Sequence, residues 1–153
     1  HIPVAHFHKL QLDIDKVFIT ENEINGLAFP EVKQAIIIFG LGFGLDRLAD
    51  VSWLKSKNIY YWGDIDTHGF VMLEQLRSYF PQARSFLMDK ETLISHRSQW
   101  GEETSPANRD LERLLNYEKE VYSLLVNNQL AENLRLEQEK ISFELVKKVL
   151  KEI

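Results

Sequence analysis

One stretch, residues 60–70, constrains the fold of this chain more than any other. Its sequence is YYWGDIDTHGF, an apolar run that leads into Asp64 and Asp66 and then into a helical pattern. Open α/β sheets bind their ligands outside the carboxyl ends of strands, so the pattern predicts a site here. Residues two apart on a strand point to the same side, and carboxylate oxygens are the ligands that magnesium prefers. The alternative is a helix cap on a solvated turn.

Apolar segments before and after this stretch predict the rest of a sheet. The predicted strands are residues 16–20, 35–39, 59–62 and 84–88, with helical patterns at 24–29, 45–54, 67–80 and 90–96. Strands that alternate with helices need crossover connections. The fold class is therefore predicted as α/β, with a doubly wound, mostly parallel four-stranded sheet. A chain of 153 residues fits one domain.

The helix after the acidic pair has one apolar stripe, formed by Phe70, Leu73, Leu76 and Phe80. Asp66 or Thr67 is the predicted N-cap, and Pro81 the predicted stop. The partial positive charge of the helix N-terminus favours a phosphate, so we expect a metal–phosphate complex beside it. His68 either leans into this site or makes a local hydrogen bond.

A second group of acids, Glu21 and Glu23, follows the first predicted strand. They either join the same site or favour the N-terminus of the turn at 24–29 through its dipole. The glycine-rich run at 40–44 is interpreted as a tight strand-to-helix turn, because its GxGxG spacing departs from the dinucleotide fingerprint. His6 and His8 are interpreted as part of an N-terminal arm.

Beyond residue 96 the alternation of strand and helix patterns ends. A polar linker is predicted at 97–107, followed by two charged helices, and the run RLEQEK at 135–140 indicates a solvated helix start. We therefore divide the chain into an arm at 1–15, an α/β core at 16–100 and a C-terminal helical extension at 101–153, packed on the same domain.

Composition excludes several classes of function. The chain has no cysteine, which excludes disulfides and thiolate metal sites, and no apolar run of membrane-spanning length. A net charge of −5 argues against a broad surface that coats nucleic acid, although a local basic groove stays open. Because the sequence begins at His1, we expect a fragment or a processed product. The lack of cysteine permits a reducing compartment, and we expect the cytoplasm.

Five strings resemble the carboxy-terminal domain of the JetD subunit of Wadjet anti-plasmid systems: TENE at 20–23, YWGDIDTHG at 61–69, ARSFLMD at 83–89, ETL at 91–93 and RLEQE at 135–139. The similarity covers nearly the whole chain, and GDIDTHG and RLEQE are its most specific parts. It implies a Toprim fold, similar to that of the topoisomerase VI A subunit. It also implies a DNA endonuclease that depends on Mg²⁺ or Mn²⁺.

The family pattern, carried over to this sequence, implies a catalytic and metal-binding set. The family's glutamate falls on Glu21 and its DxD pair on Asp64 and Asp66. Glu23 matches a second acid of topoisomerase VI-like members, and Glu137 and Glu139 lie in the closing motif as further catalytic candidates. A general base separate from the metal would be Glu23.

The resemblance also implies partners. These are DNA, a condensin-like motor complex of the same defence system and a second copy of the full-length protein. Family members have an amino-terminal region with a winged-helix part, which we expect to lie outside this sequence. In topoisomerase VI-like relatives that region supplies the attacking tyrosine, whereas JetD-like proteins are thought to hydrolyse with water. We therefore expect weak or absent cleavage by this segment alone.

Two other functions stay open at this point. A phosphatase of the haloacid dehalogenase type also uses DxD after a strand, but its threonine stands two places after the second aspartate, whereas Thr67 stands one place after. A non-catalytic docking or dimerisation domain would leave the acids idle. Three converging carboxylates repel one another, and a divalent cation relieves that repulsion, which favours the nuclease.

Overall fold

A computed structural model describes residues 4–7, 13–22, 30, 32–39 and 44–153. The strands in these ranges are β1 (Lys16–Thr20), β2 (Ala35–Ile38), β3 (Asn58–Trp62), β4 (Arg84–Ser85), β5 (Gly101–Glu102) and β6 (Leu134–Arg135). The α-helices are α1 (Val4–Phe7), α2 (Thr67–Tyr79), α3 (Lys90–Ser95), α4 (Asn116–Val126) and α5 (Phe143–Glu152). Short 3₁₀ helices span Gly44–Leu48, Ser52–Ser56, Arg97–Gln99 and Gln138–Lys140.

Within the described ranges, four strands form an all-parallel sheet in the order β2-β1-β3-β4. Together with the C-terminal helix this is an α/β architecture consistent with a Toprim-like fold, which confirms the predicted fold class. β1 and β3 are neighbours, in register from Lys16 opposite Asn58 to Thr20 opposite Trp62. The residues that follow these two strands therefore lie side by side at one edge of the sheet.

Helix α2 confirms the apolar stripe predicted for it. Phe70, Leu73 and Leu76 are fully buried, as is Phe80, which caps the helix just before Pro81. At the other end, the side chain of Asp66 accepts a hydrogen bond from the amide of Gly69, which makes Asp66 the N-cap. The first turn of α2 is thereby fixed to the carboxyl end of β3.

The helix predicted at 45–54 is wrong: two 3₁₀ helices, Gly44–Leu48 and Ser52–Ser56, replace it. Leu45, Leu48, Val51 and Leu54 are all buried. These residues recur every third position, which is the period of a 3₁₀ helix rather than an α-helix. The spacing was therefore visible in the sequence and was assigned to the wrong helix type.

The strand predicted at 84–88 is shorter than expected and ends at Ser85. Leu87 has a φ of 56°, a left-handed conformation that is incompatible with an extended strand. Its side chain is nevertheless buried, as are those of Phe86 and Met88. Burial of the apolar run is thus achieved without further β pairing.

Two segments beyond residue 96 differ from the sequence prediction. The supposed linker at 97–107 contains β5, which pairs antiparallel with β6. Next to β6, Leu136 forms an isolated bridge with Ile65, so the first part of the run at 135–140 lies across the carboxyl edge of the sheet, and the predicted solvated helix start is limited to the 3₁₀ helix Gln138–Lys140, where Glu139 and Lys140 are exposed. The alternating residues Leu134, Leu136 and Gln138 are each at most 1% exposed, which is the period of an extended segment.

A buried ion pair joins α2 to α4. The guanidinium of Arg77 donates to both carboxylate oxygens of Glu118, at 2.6 and 3.1 Å, and the Ser85 hydroxyl also donates to Glu118. Burial alone would raise the pKa of Glu118, but the hydrogen bonds from Arg77 and Ser85 outweigh it and lower the pKa below its ordinary value.

Among the described residues, no helix is both long and apolar enough to cross a membrane.

We predict that Glu118→Gln lowers the free energy of unfolding by about 3 kcal/mol, because it leaves the buried Arg77 charge without its partner. The matched control is Glu120→Gln on the same helix, whose ion pair with Lys90 is exposed and should contribute less than about 1 kcal/mol. Urea denaturation of both variants measures the difference. Equal losses would contradict the role given to the buried pair.

Candidate functional site

Three carboxylates lie together at the carboxyl ends of β1 and β3. Glu21 directly follows β1, and Asp64 and Asp66 follow β3. The amide of Asp64 donates to Oε2 of Glu21 over 3.4 Å. Burial raises the pKa of Glu21 above its ordinary value, and the nearby charge of Asp64 raises it further. The side chains that the sequence placed at two separate strand ends therefore share one electrostatic environment.

The two aspartates share one guanidinium. Arg135 donates from Nη2 to Oδ2 of Asp64 at 3.0 Å, and its Nε lies 3.2 Å from Oδ2 of Asp66. This second contact is an ion pair without an aligned hydrogen bond, since the buried Nε has no hydrogen-bond partner in the described part of the chain. One positive side chain thus lies across both carboxylates.

Burial disfavours the charged form of these acids and so raises their pKa values. It raises the pKa of Asp66 to about 8 against the hydrogen bond from Gly69, and the charges of Glu103, Asp64 and Glu21 add to the increase. Burial would lower the pKa of Arg135, but its hydrogen bond to Asp64 and the surrounding negative charges raise it. With a pKa of about 8, Asp66 binds a proton at neutral pH, and a further positive charge beside it would favour the ionised form.

The N-terminus of α2 is already satisfied by carboxylates. Amides of Thr67 and His68 each donate to Glu103 at 3.1 Å, the Thr67 hydroxyl also donates to Glu103, and the Gly69 amide donates to Asp66. These three amides are thus used internally, and the metal–phosphate complex expected beside this helix end stays a prediction. Nε2 of His68 lies 2.9 Å from the carbonyl of Ser105, so the histidine makes a local hydrogen bond.

Two residues of the RLEQE motif, Arg135 and Gln138, contact the acid cluster directly, and neither was a candidate from the sequence. Gln138 donates from its backbone amide to Oδ1 of Asp64 at 2.8 Å and from its side chain to the carbonyl of Trp62 at 2.6 Å. Its side-chain oxygen accepts from the amide of Asn22 at 3.3 Å. Gln138 therefore links the ends of β1 and β3, and Arg135 neutralises the acids between them.

The two glutamates of that motif lie farther out. Glu137 is half-buried and Glu139 is exposed. Burial raises the pKa of Glu139, followed by its hydrogen bond with Glu137 and the charge of Asp64. Both glutamates are thus near the acid cluster, and their catalytic role stays a prediction. Glu23, His8 and residues 40–43 lie outside the described residues.

Tyr61, which the sequence analysis interpreted as a strand residue, lies beneath the acids. Its side chain is fully buried, and its hydroxyl has no hydrogen-bond partner among the described residues. Burial raises its pKa well above the ordinary value, and the charges of Glu21, Asp66 and Asp64 contribute. A Cβ added at Gly63 would lie 2.5 Å from this hydroxyl, so glycine is required there.

The donor chemistry of this cluster fits a divalent cation. Glu21, Asp64 and Asp66 offer carboxylate oxygens, and the buried hydroxyl of Tyr61, which feels their charge, has no hydrogen-bond partner in the described ranges. In those ranges, no three His, Asp or Glu side chains are arranged as a ready metal site. The oxygens of Asp64 and Asp66 are instead directed at Arg135, Gln138 and Gly69.

A Toprim-like α/β fold with acids after two adjacent parallel strands defines the class of this domain. The family model described as Wadjet protein JetD, C-terminal, matches residues 1–150. The chain therefore belongs to the family of JetD carboxy-terminal domains of the Wadjet defence system. A search of curated proteins found no match.

We predict that Gly69→Ala destabilises the domain, although alanine normally favours a helix over glycine by about 1 kcal/mol. The added Cβ would lie 2.1 Å from the backbone carbonyl oxygen of Asp64, so the acid-bearing turn must move. Gly44→Ala is the control, because among the described residues the atoms nearest to its Cβ belong to the flexible Arg47 side chain, at 3.6 Å and beyond. Thermal melting compares the two, and a Gly69→Ala protein more stable than the parent would refute this.

We also predict that Glu103→Gln lowers the free energy of unfolding by about 1–3 kcal/mol, because a neutral amide replaces the buried carboxylate that accepts from Thr67 and His68. Glu102→Gln is the matched control, since Glu102 is the preceding residue and is exposed. Chemical denaturation measures both. The capping role is excluded if the two variants unfold at the same denaturant concentration.

Proposed function

We propose that this domain is a metal-dependent DNA endonuclease that hydrolyses phosphodiester bonds of plasmid DNA within an anti-plasmid defence complex. One observation above all supports it: Glu21 follows one strand, Asp64 and Asp66 follow the adjacent parallel strand, and the Asp64 amide donates to Glu21. That is the edge where open α/β sheets form their active sites. Membership of the JetD family supports the same reaction class.

In this proposal Glu21, Asp64 and Asp66 hold Mg²⁺ or Mn²⁺. When bound there, the cation supplies Lewis-acid chemistry, because it stabilises negative charge on a phosphate and makes water a better nucleophile. The amide of Gln138 keeps one oxygen of Asp64 oriented, and the amide of Gly69 does the same for Asp66. The carboxylates can therefore meet their ligand with little loss of side-chain freedom.

Proton transfer is assigned to acids around the three metal ligands. Glu23, two places after Glu21, is the proposed general base, and Glu137 and Glu139 are further candidates near the cluster. Burial, the hydrogen bond with Glu137 and the charge of Asp64 raise the pKa of Glu139 above its ordinary value, which favours the protonated form that a proton donor needs. In each case the proton would be held on a carboxylate oxygen.

The proposed partners follow from membership of the JetD family. A net charge of −5 makes this domain a poor DNA-gripping surface by itself, so we propose that other parts of the full-length protein and a condensin-like motor complex deliver the DNA. A homodimer of the full-length protein would present two such sites to a duplex. We propose weak cleavage by this domain alone.

The phosphatase alternative is less well supported by the geometry. The threonine of such an enzyme would be needed at the phosphate, whereas the Thr67 hydroxyl donates to Glu103. The docking alternative, in which the acids are idle, agrees with the pairing of Asp64 and Asp66 with Arg135, and it predicts no response to a divalent cation.

Three site variants test the proposal: Glu21→Gln, Asp64→Asn and Asp66→Asn. A ligand that binds only the folded state stabilises it, by about 2.7 kcal/mol at one hundred times its dissociation constant. We expect Mn²⁺ to raise the melting temperature of the parent chain and to lose most of that effect in each variant. Nicking of supercoiled plasmid by the full-length protein should fall with the same substitutions.

Asp89→Asn is the matched control. Asp89 also caps a helix, by accepting from the amide of Thr92, and asparagine caps equally well. This variant should keep the full response to Mn²⁺. Absence of any Mn²⁺ effect on the parent chain would overturn the metal site, and turnover of an aryl phosphate without plasmid nicking would favour the phosphatase.

A further inference from the structure

We propose that Arg135 is a placeholder cation: its guanidinium holds Asp64 and Asp66 together in the metal-free protein and leaves that position when a divalent cation binds. The inference rests on the proposed function and names a positioning residue for the same site. It is carried by one geometric fact. A single guanidinium contacts Oδ2 of both aspartates, at 3.0 and 3.2 Å, which is where a shared metal ion would have to bind.

The attachment of Arg135 is incomplete in a way that permits exchange. Only its bond to Asp64 is aligned, and its buried Nε has no hydrogen-bond partner in the described part of the chain. By contrast Arg77 makes two aligned bonds to Glu118 and further bonds to the carbonyls of Ala83 and Arg113. Arg77 is a structural ion pair, whereas Arg135 is held mainly by charge.

A path for the exchange exists without unfolding. The Arg135 side chain is 33% exposed, so the guanidinium can rotate into solvent. Its backbone is fixed by the pairing of β6 with Gly101 of β5 and by the adjacent bridge between Leu136 and Ile65. Because the backbone is held and Asp64 keeps its bond from Gln138, only the arginine side chain has to move.

Charge gives the direction of the exchange. Glu21, Asp64 and Asp66 bring three formal negative charges to one strand edge, and Arg135 compensates one of them. A divalent cation compensates two and offers a geometry that all three carboxylates can share. The guanidinium therefore binds these carboxylates more weakly than a divalent cation does. Competition with Arg135 sets the metal concentration at which the cation replaces it.

The test compares Arg135→Gln with the parent chain by calorimetry and thermal melting in Mg²⁺. Without metal, we expect Arg135→Gln to melt at a lower temperature, because the acids lose their counter-charge. We expect it to bind Mg²⁺ at least tenfold more tightly, about 1.4 kcal/mol, and saturating Mg²⁺ to restore most of the lost melting temperature. A purely structural arginine would give no such rescue.

Arg113→Gln is the matched control. It removes the same charge from a guanidinium paired with Glu74 at the surface, so it should leave Mg²⁺ affinity unchanged. Arg135→Lys is a second variant in case the glutamine protein fails to fold. It keeps the charge but loses the planar fork, and its Mg²⁺ affinity should lie between those of the parent and the glutamine variant.

The parent chain allows a test that needs no substitution. The buried Arg135 Nε–H is shielded from solvent, so its nitrogen resonance should be observable. We expect this resonance to shift, and its proton to exchange faster, with the same Mg²⁺ dependence as the binding isotherm. A resonance that stays unchanged at Mg²⁺ saturation would overturn the placeholder role.

The outcomes separate this inference from the proposed function. Equal Mg²⁺ affinity in the parent and Arg135→Gln, with both binding, overturns the placeholder and leaves the nuclease proposal intact. Binding that Asp64→Asn abolishes in the Arg135→Gln background supports both. No Mg²⁺ binding in the parent, Arg135→Gln or Arg135→Lys overturns both, because a placeholder requires a metal to replace it.

Discussion

Repulsion among buried carboxylates at the carboxyl edge of the sheet is the constraint on which the rest of this structure depends. At an effective dielectric constant near 20, two like charges about 4 Å apart cost about 4 kcal/mol, a large part of the 5–15 kcal/mol that stabilises a typical domain. Glu21, Asp64 and Asp66 can therefore share this edge only because other groups compensate their charge or because one of them binds a proton, as the raised pKa of Asp66 favours. Arg135 and the amides of Gln138 and Gly69 are the groups that the structure provides.

The two-stranded ribbon of β5 and β6 brings charged side chains to this edge of the sheet. The residue after β5, Glu103, accepts the amides at the start of α2, and the last residue of β6, Arg135, neutralises the aspartates on either side of Ile65. A negative side chain thus meets the positive end of the helix, and a positive side chain meets the acids. The ribbon stabilises the loop between β3 and α2 from both sides, and this fixes the geometry that the proposed chemistry needs.

The sequence could predict those features that depend on near neighbours. The strand before Asp64, the N-cap at Asp66 and the apolar stripe of α2 each follow from a short, regular pattern, and the structure has all three. The errors at 45–54 and 135–140 arose where a pattern was present but its period was misjudged, being three in the first case and two in the second. The charged residues Arg135, Glu137 and Glu139 hid the second pattern, because such residues usually lie on a solvated surface. The buried acids that pair with Arg135 cannot be identified from the sequence around it.

By itself, the sequence determined that acids follow two apolar strands and that a capped helix begins at the second, because hydrophobic period and capping chemistry act over a few residues. Only the tertiary structure decided which groups compensate those acids. Arg135 is 71 positions from Asp64, and Glu103 is 36 positions from Thr67, so no local pattern specifies either pairing. A charged side chain attracts every opposite charge, so charge alone does not select a partner. The strand contacts that bring β5 and β6 to this edge select it.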